Sequence, residues 1–98
     1  MIIAEPGVQV KLQVDLIKQG KVYIAYSPAL DLSTTGKNAK QAQKRFAEMV
    51  DIFFEELIEN NTLEEVLQDL GWIKVKKKWE PPQIISQKSF DVRVPVAL

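Results

Sequence analysis

Two aspartates, Asp15 and Asp31, and four lysines (Lys74, Lys76, Lys77 and Lys78) set between Trp72 and Trp79 are the residues whose type and spacing could do chemistry in this chain. Two carboxylates on neighbouring strands could share a metal ion for hydrolysis of RNA, although metal-dependent nucleases gather several such groups. Both aspartates sit at polar positions of alternating stretches, where solvent exposure is the ordinary expectation. The lysines and tryptophans could form a basic platform on which bases stack. The simpler account is a solvated strand face between two anchoring tryptophans. No P-loop, dinucleotide fingerprint or metal-ligand spacing is present.

The chain has no histidine and no cysteine. Imidazole is the side chain that titrates near neutrality without help. Triads, thiol nucleophiles and zinc sites all draw on His or Cys. A catalyst here would have to rely on carboxylates, Lys, Ser, Thr or Tyr. We therefore expect no catalytic residue, no cofactor and no metal, and a protein that acts by binding. A metal-dependent nuclease is the least favoured alternative. The missing cysteines also exclude a disulfide framework and suit a reducing cytoplasm.

With 98 residues, 46% apolar and 27% charged, the chain has the usage of one globular domain spanning 1–98. No apolar run approaches the ~20 residues that cross a bilayer, so no membrane association is expected. Residues 1–7 carry no basic n-region and do not read as a secretory signal. Thirteen bases balance thirteen acids, which argues against general nucleic-acid binding. The charge is segregated, however. Residues 46–73 hold eight acids and no base, while seven bases precede them and six follow. Such a stretch is either a solvated helix face or an acidic surface that steers a basic partner. In the second case Glu55, Glu56, Glu64 and Glu65 are the candidate partner surface.

The elements that must position these residues follow from periodicity. Val8, Val10, Leu12, Val14 and Leu16 alternate with polar residues, Gln19-Gly20 turns, and Val22, Ile24 and Tyr26 alternate again. That pattern predicts a β-hairpin over 8–26. Ser27-Pro28 should end the second strand, because proline lacks a ladder donor. Leu30 and Leu32 resume alternation in a short third strand over 30–35, with Gly36 as its turn. Asn38 and Gln41 then form a capping-box variant. Ala42, Phe46, Met49, Val50, Phe53, Leu57 and Ile58 trace the apolar stripe of a helix about 21 residues long, with Phe54 at its edge as a candidate oligomer contact. Thr62-Leu63-Glu64-Glu65 reads as a complete capping box for a second, short helix closed by Gly71. Ile73 to Trp79 suggests a fourth strand that Glu80-Pro81-Pro82 breaks. Phe90, Val92, Val94 and Val96 alternate with Asp91, Arg93 and Pro95 and suggest a fifth, confined by Pro95 to a sheet edge. The fold class is α+β: an antiparallel three-stranded meander, a long helix, a short helix and further C-terminal strands, in the order β-β-β-α-α-β-β. Phe90, Val92 and Val94 are the candidate oligomer edge, pairing across a twofold axis.

One segment is more specific than composition. Tyr23-Ile24-Ala25-Tyr26-Ser27-Pro28-Ala29-Leu30 runs through Thr35-Gly36 into a helix capped by Asn38 and carrying Gln41-Ala42. This resembles the N-terminal domain of the HicB family of antitoxins. There a strand with Tyr-x-Ala is followed by a Ser/Cys-Pro-x-Leu turn, then Thr-x-Gly, then a helix opening Thr-x-x-Glu-Ala. The resemblance covers about residues 8–58, with 62–98 as a C-terminal extension. Its motif residues are Tyr23, Ala25, Tyr26, Pro28, Leu30, Gly36, Asn38 and Ala42. It implies a degenerate ribonuclease H-like β-β-β-α-β fold without nuclease chemistry. It also implies a homo-oligomer, dimer or tetramer, and a small basic HicA-like ribonuclease toxin as partner. Asn38 and Gln41 stand where the family usually has Thr and Glu, both conservative for capping. Residues 90–98 resemble the opening strand of a ribbon-helix-helix, but its two helices do not follow, so operator binding is not expected. Leu70-Gly71-Trp72 is similar to a toxin-family motif that also requires histidine, which this chain lacks. The expected function is a HicB-like antitoxin or an orphan descendant, with a homo-oligomeric structural or ligand-sensing module as the alternative.

Overall fold

The structure, a computed structural model, describes residues 10–96. Strand β1 (Asp15–Gln19) turns at Gly20, whose φ of 62° lies in the left-handed region, into β2 (Val22–Ser27). Strand β3 (Leu32–Gly36) completes an antiparallel sheet of order β1-β2-β3. The predicted hairpin holds, but its first strand starts at Asp15; Val10 to Val14 run outside the ladder, and Val8 and Gln9 lie outside the described residues. Pro28 does end β2, and residues 28–31 form a turn that closes on Asp31 at φ 52°. The third strand accordingly begins at Leu32, and Leu30 is a buried turn residue.

The long helix α1 (Ala39–Glu59) lies on the sheet face made by Tyr23, Ala25, Ser27, Leu32, Thr34 and Gly36, as the strand register and burial require. The larger Ile24 and Tyr26 point to the opposite face. Hydrophobicity alone would have put the larger side chains inward. What selects the face is size: Ala25 and Ala42 are fully buried against each other and Phe46, so helix and strand approach closely. Gly36 belongs to this contact, not to a turn. A Cβ there would meet the Ala42 backbone nitrogen at 2.5 Å. Thr34 closes the seam by donating Oγ1–H to the Ala42 carbonyl at 2.9 Å.

Asn38 caps α1 as expected: its side chain accepts from the Gln41 N–H at 2.7 Å, while Gln41 Oε1 accepts from the Lys37 N–H. Asn61 at φ 56° ends the turn after α1. Helix α2 (Leu63–Asp69) follows, but Thr62 makes no side-chain capping bond; its carbonyl accepts from Val66 instead. The predicted fourth strand is a hairpin, β4 (Ile73–Val75) and β5 (Lys78–Glu80), turning through Lys76 and Lys77, both at positive φ. The order β-β-β-α-α-β-β therefore stands, with both C-terminal strands drawn from 73–80. Phe90 to Val96 is exposed and pairs with no strand among the described residues.

A second core joins the two halves. Leu67 and Trp72 pack on Ala29 and Leu30, with Phe53, Phe54 and Leu63 around them. Trp72 Nε1 donates to the Ala29 carbonyl at 2.8 Å, so the buried indole is satisfied.

Candidate functional site

The motif residues fall into two groups. Tyr23, Ala25, Gly36 and Ala42 line the seam between sheet and α1, and Leu30 sits in the second core. Their types follow from packing: small residues where backbones approach, an apolar side chain where the turn folds under. Tyr26, Pro28 and Asn38 lie further out, on the uncovered sheet face, the turn and the helix cap. The motif thus builds a scaffold and gathers no reactive constellation.

Asp15 and Asp31 do not share a strand pair. Strand β2 lies between β1 and β3, and Asp15 pairs with Tyr26. The Tyr26 hydroxyl donates to Asp31 Oδ1 at 3.2 Å. That bond, with some desolvation and the charges of Asp31 and Asp15, raises the phenol above its ordinary 10.0. Among the described residues no three carboxylates converge on a metal position.

The lysine cluster is dispersed by the β4–β5 hairpin. Lys74 forms an ion pair with Glu64 at 2.9 Å and lies over the Trp79 ring at 5.6 Å. Lys76 and Lys77 make the turn. Trp72 is buried, so a platform with two stacking faces is not formed. Phe54, expected as an oligomer contact, is half-buried: its ring meets Phe53 and Trp72 edge-on at 5.4 and 6.4 Å.

Glu55 and Glu56 stand exposed on α1, and Glu64 and Glu65 on the first turn of α2. The two pairs differ electrostatically. Acids in the first turn of α2 favour its dipole, and Glu64 is also held by Lys74. On α1 the charge runs against the dipole. Its first two turns carry Lys40, Lys44 and Arg45, the remainder Glu48, Asp51, Glu55, Glu56 and Glu59, and its last turn holds no base. Carboxylates at a helix C-terminus each cost about 0.3–1 kcal/mol near the surface. The α1 acids form an exposed ridge, and at its C-terminal end, Glu56 and Glu59, helix stability disfavours them.

Sequence reasoning missed the side of α1 next to β3. Met49, assigned to the core, is exposed, and Ile52, off the apolar stripe, is 55% exposed within the acidic ridge. With Ser33, Thr35, Arg45 and Glu48 they border a shallow groove of about 570 Å³ along the open edge of β3. The signal was available in one place: an isoleucine on the charged side of an amphipathic helix is an apolar residue that the monomer core does not use. A second, apolar groove of about 330 Å³ lies between Phe54, Ile58, Leu63 and the tryptophans.

Comparison with protein-family models, with curated proteins and with solved structures brings no match for this chain. No helix among the described residues is long and apolar enough to cross a membrane.

Proposed function

We propose that this protein is a partner-binding module of the HicB antitoxin type, acting without catalysis in the cytoplasm to neutralise a small basic toxin through the acidic ridge of α1. The observation that carries this reading is the ridge's cost. Glu56 and Glu59 lie in the last turn of α1, at the wrong end of the helix dipole, with no base in that turn. A surface that opposes local stability has a use elsewhere, and a basic partner supplies one by fast, steered association. The resemblance of residues 22–42 to the antitoxin motif, and the β-β-β-α order that bears it, support the same class.

Two measurements test it. The tagged protein, recovered at native expression, should bring a small basic endoribonuclease in fixed ratio, and adding the protein back should inhibit RNA cleavage by that companion. Glu56→Lys with Glu59→Lys should slow association, most at low salt, while raising helix stability by about 0.3–1 kcal/mol per site. Unchanged association, or a loss of stability, removes the argument from the ridge. A second reading, a self-assembling module, is favoured by the exposed alternating tail Phe90–Val96.

A further inference from the structure

We propose that residues 90–94 of one copy add to the open edge of β3 in a second copy as a fourth, antiparallel strand, and that two copies exchange these tails. This deepens the self-assembly reading and does not depend on the toxin. It replaces the tail-to-tail pairing expected from sequence with a specific receptor edge.

Among the described residues β3 has one ladder partner, β2, and its other edge is open. The Thr35 carbonyl accepts from Arg45 Nη1 at 3.0 Å and therefore points away from β2; alternation directs the Ser33 backbone groups the same way. An incoming strand would pair with Thr35 and Ser33 through its own backbone. The side chains on β3 are two-faced. Leu32, Thr34 and Gly36 face α1, with Met49 and Ile52 exposed beside them, while Ser33 and Thr35 face solvent.

The tail has the complementary pattern. Phe90, Val92 and Val94 are each more than two-thirds exposed and alternate with Asp91 and Arg93. Placing Asp91 opposite Thr35 and Arg93 opposite Ser33 sets Phe90 over Gly36, Val92 by Thr34 and Val94 by Leu32. The apolar side then covers Met49 and Ile52, and the charged side stays solvated. Pro95 falls opposite Asp31, beyond β3, where its missing N–H costs no ladder bond. Arg45 must leave the Thr35 carbonyl to admit the incoming strand.

A second copy is the occupant because of where the tail departs. The Ile84 N–H donates to Gln13 Oε1 at 3.0 Å, just before β1, at the far side of the sheet from β3. From there residues 85–87 stay beside Gln13, Val14 and Asp15, on the β1 side, with Ile85 95% exposed. Two copies offer two tails and two edges, so reciprocal exchange closes the assembly.

Light-scattering mass of the full chain across the micromolar range tests this. The expected result is a dimer that Val92→Asp and Ile52→Glu each weaken at least about tenfold. An equimolar mixture of the two variants should recover dimers, since one intact tail then meets one intact edge. Amides of residues 90–94 should be protected from exchange in the dimer. A monomer at all concentrations overturns both the exchange and the self-assembly reading. A monomer with protected tail amides would mean that the tail docks on its own body, and also overturns the exchange. A dimer sensitive to Val92→Asp but not to Ile52→Glu overturns the β3 edge alone and returns the tail to pairing with its twin.

Discussion

Residues 15–59 and residues 73–96 are held together by different means. The first region is a continuous backbone ladder of three strands with a helix seated on its small residues, so each element is fixed by several neighbours. The second hangs from the first by few contacts: Trp72, half-buried Trp79 and one exposed hydrogen bond at Ile84, and beyond Ile84 the chain is exposed. Redundant backbone pairing tolerates the loss of a side chain, whereas attachment through two indoles and one hydrogen bond does not.

The sharpest way to break that contrast is Trp72→Ala. It removes the indole and leaves the Ala29 carbonyl unpaired, and should cost about 3–5 kcal/mol in denaturant unfolding. It should also detach the β4–β5 hairpin, read as faster amide exchange over 73–80 than over 22–27. Equal loosening of both regions would show them to be one cooperative unit. In the first region Gly36→Ala should cost about 1–3 kcal/mol, because the new Cβ pushes helix backbone from strand backbone. Ser27→Ala should act in the other direction. The Ser27 hydroxyl is fully buried without a hydrogen-bond partner among the described residues, so its removal should be neutral or stabilising by up to about 1 kcal/mol.

The smallest effect belongs to the uncovered sheet face. In Tyr23→Phe, Tyr26 is the remaining tyrosine, and its absorbance titration should centre above 10.0. Asp31→Asn should lower that midpoint. Since the folded value is the raised one, this contribution to stability is full below 10.0 and is lost as pH rises through the folded value.

How much of this was legible in the sequence depended on whether the relevant partner was local. The helix cap at Asn38, the stop at Pro28, the Gly20 turn and the span of α1 are dictated by neighbouring residues, and they stand where the residues place them. The hairpin at 73–80 was misread because two lysines, not Asn-Gly, occupy its left-handed turn. The inward face of β2 was obscured by the rule that bulk faces the core; close helix approach favoured Ala25 and Ser27 over Ile24 and Tyr26. The same alternation in β2 and in residues 90–96 yields a strand in one and an unpaired segment in the other, because periodicity describes a two-faced extended segment and does not locate its partner edge. For the candidate site, composition revealed the acidic stretch and the order of charges along α1 its conflict with the dipole, but the groove at Met49 and Ile52 required the helix placed on the sheet.

The Trp72 bond to Ala29 spans 43 residues and the Ile84 bond to Gln13 spans 71. The strand pairs and the helix seam, by contrast, join near neighbours in sequence. Loop closure over such distances is entropically dear and late. A nascent chain can therefore complete its meander and first helix while the C-terminal third is still being synthesised, and the indole then arrives as a latch on an already formed surface. Until it closes, the apolar bed of Ala29, Leu30 and Phe53 is open to any other chain, which makes the interval between these two events the period of greatest exposure to misassembly.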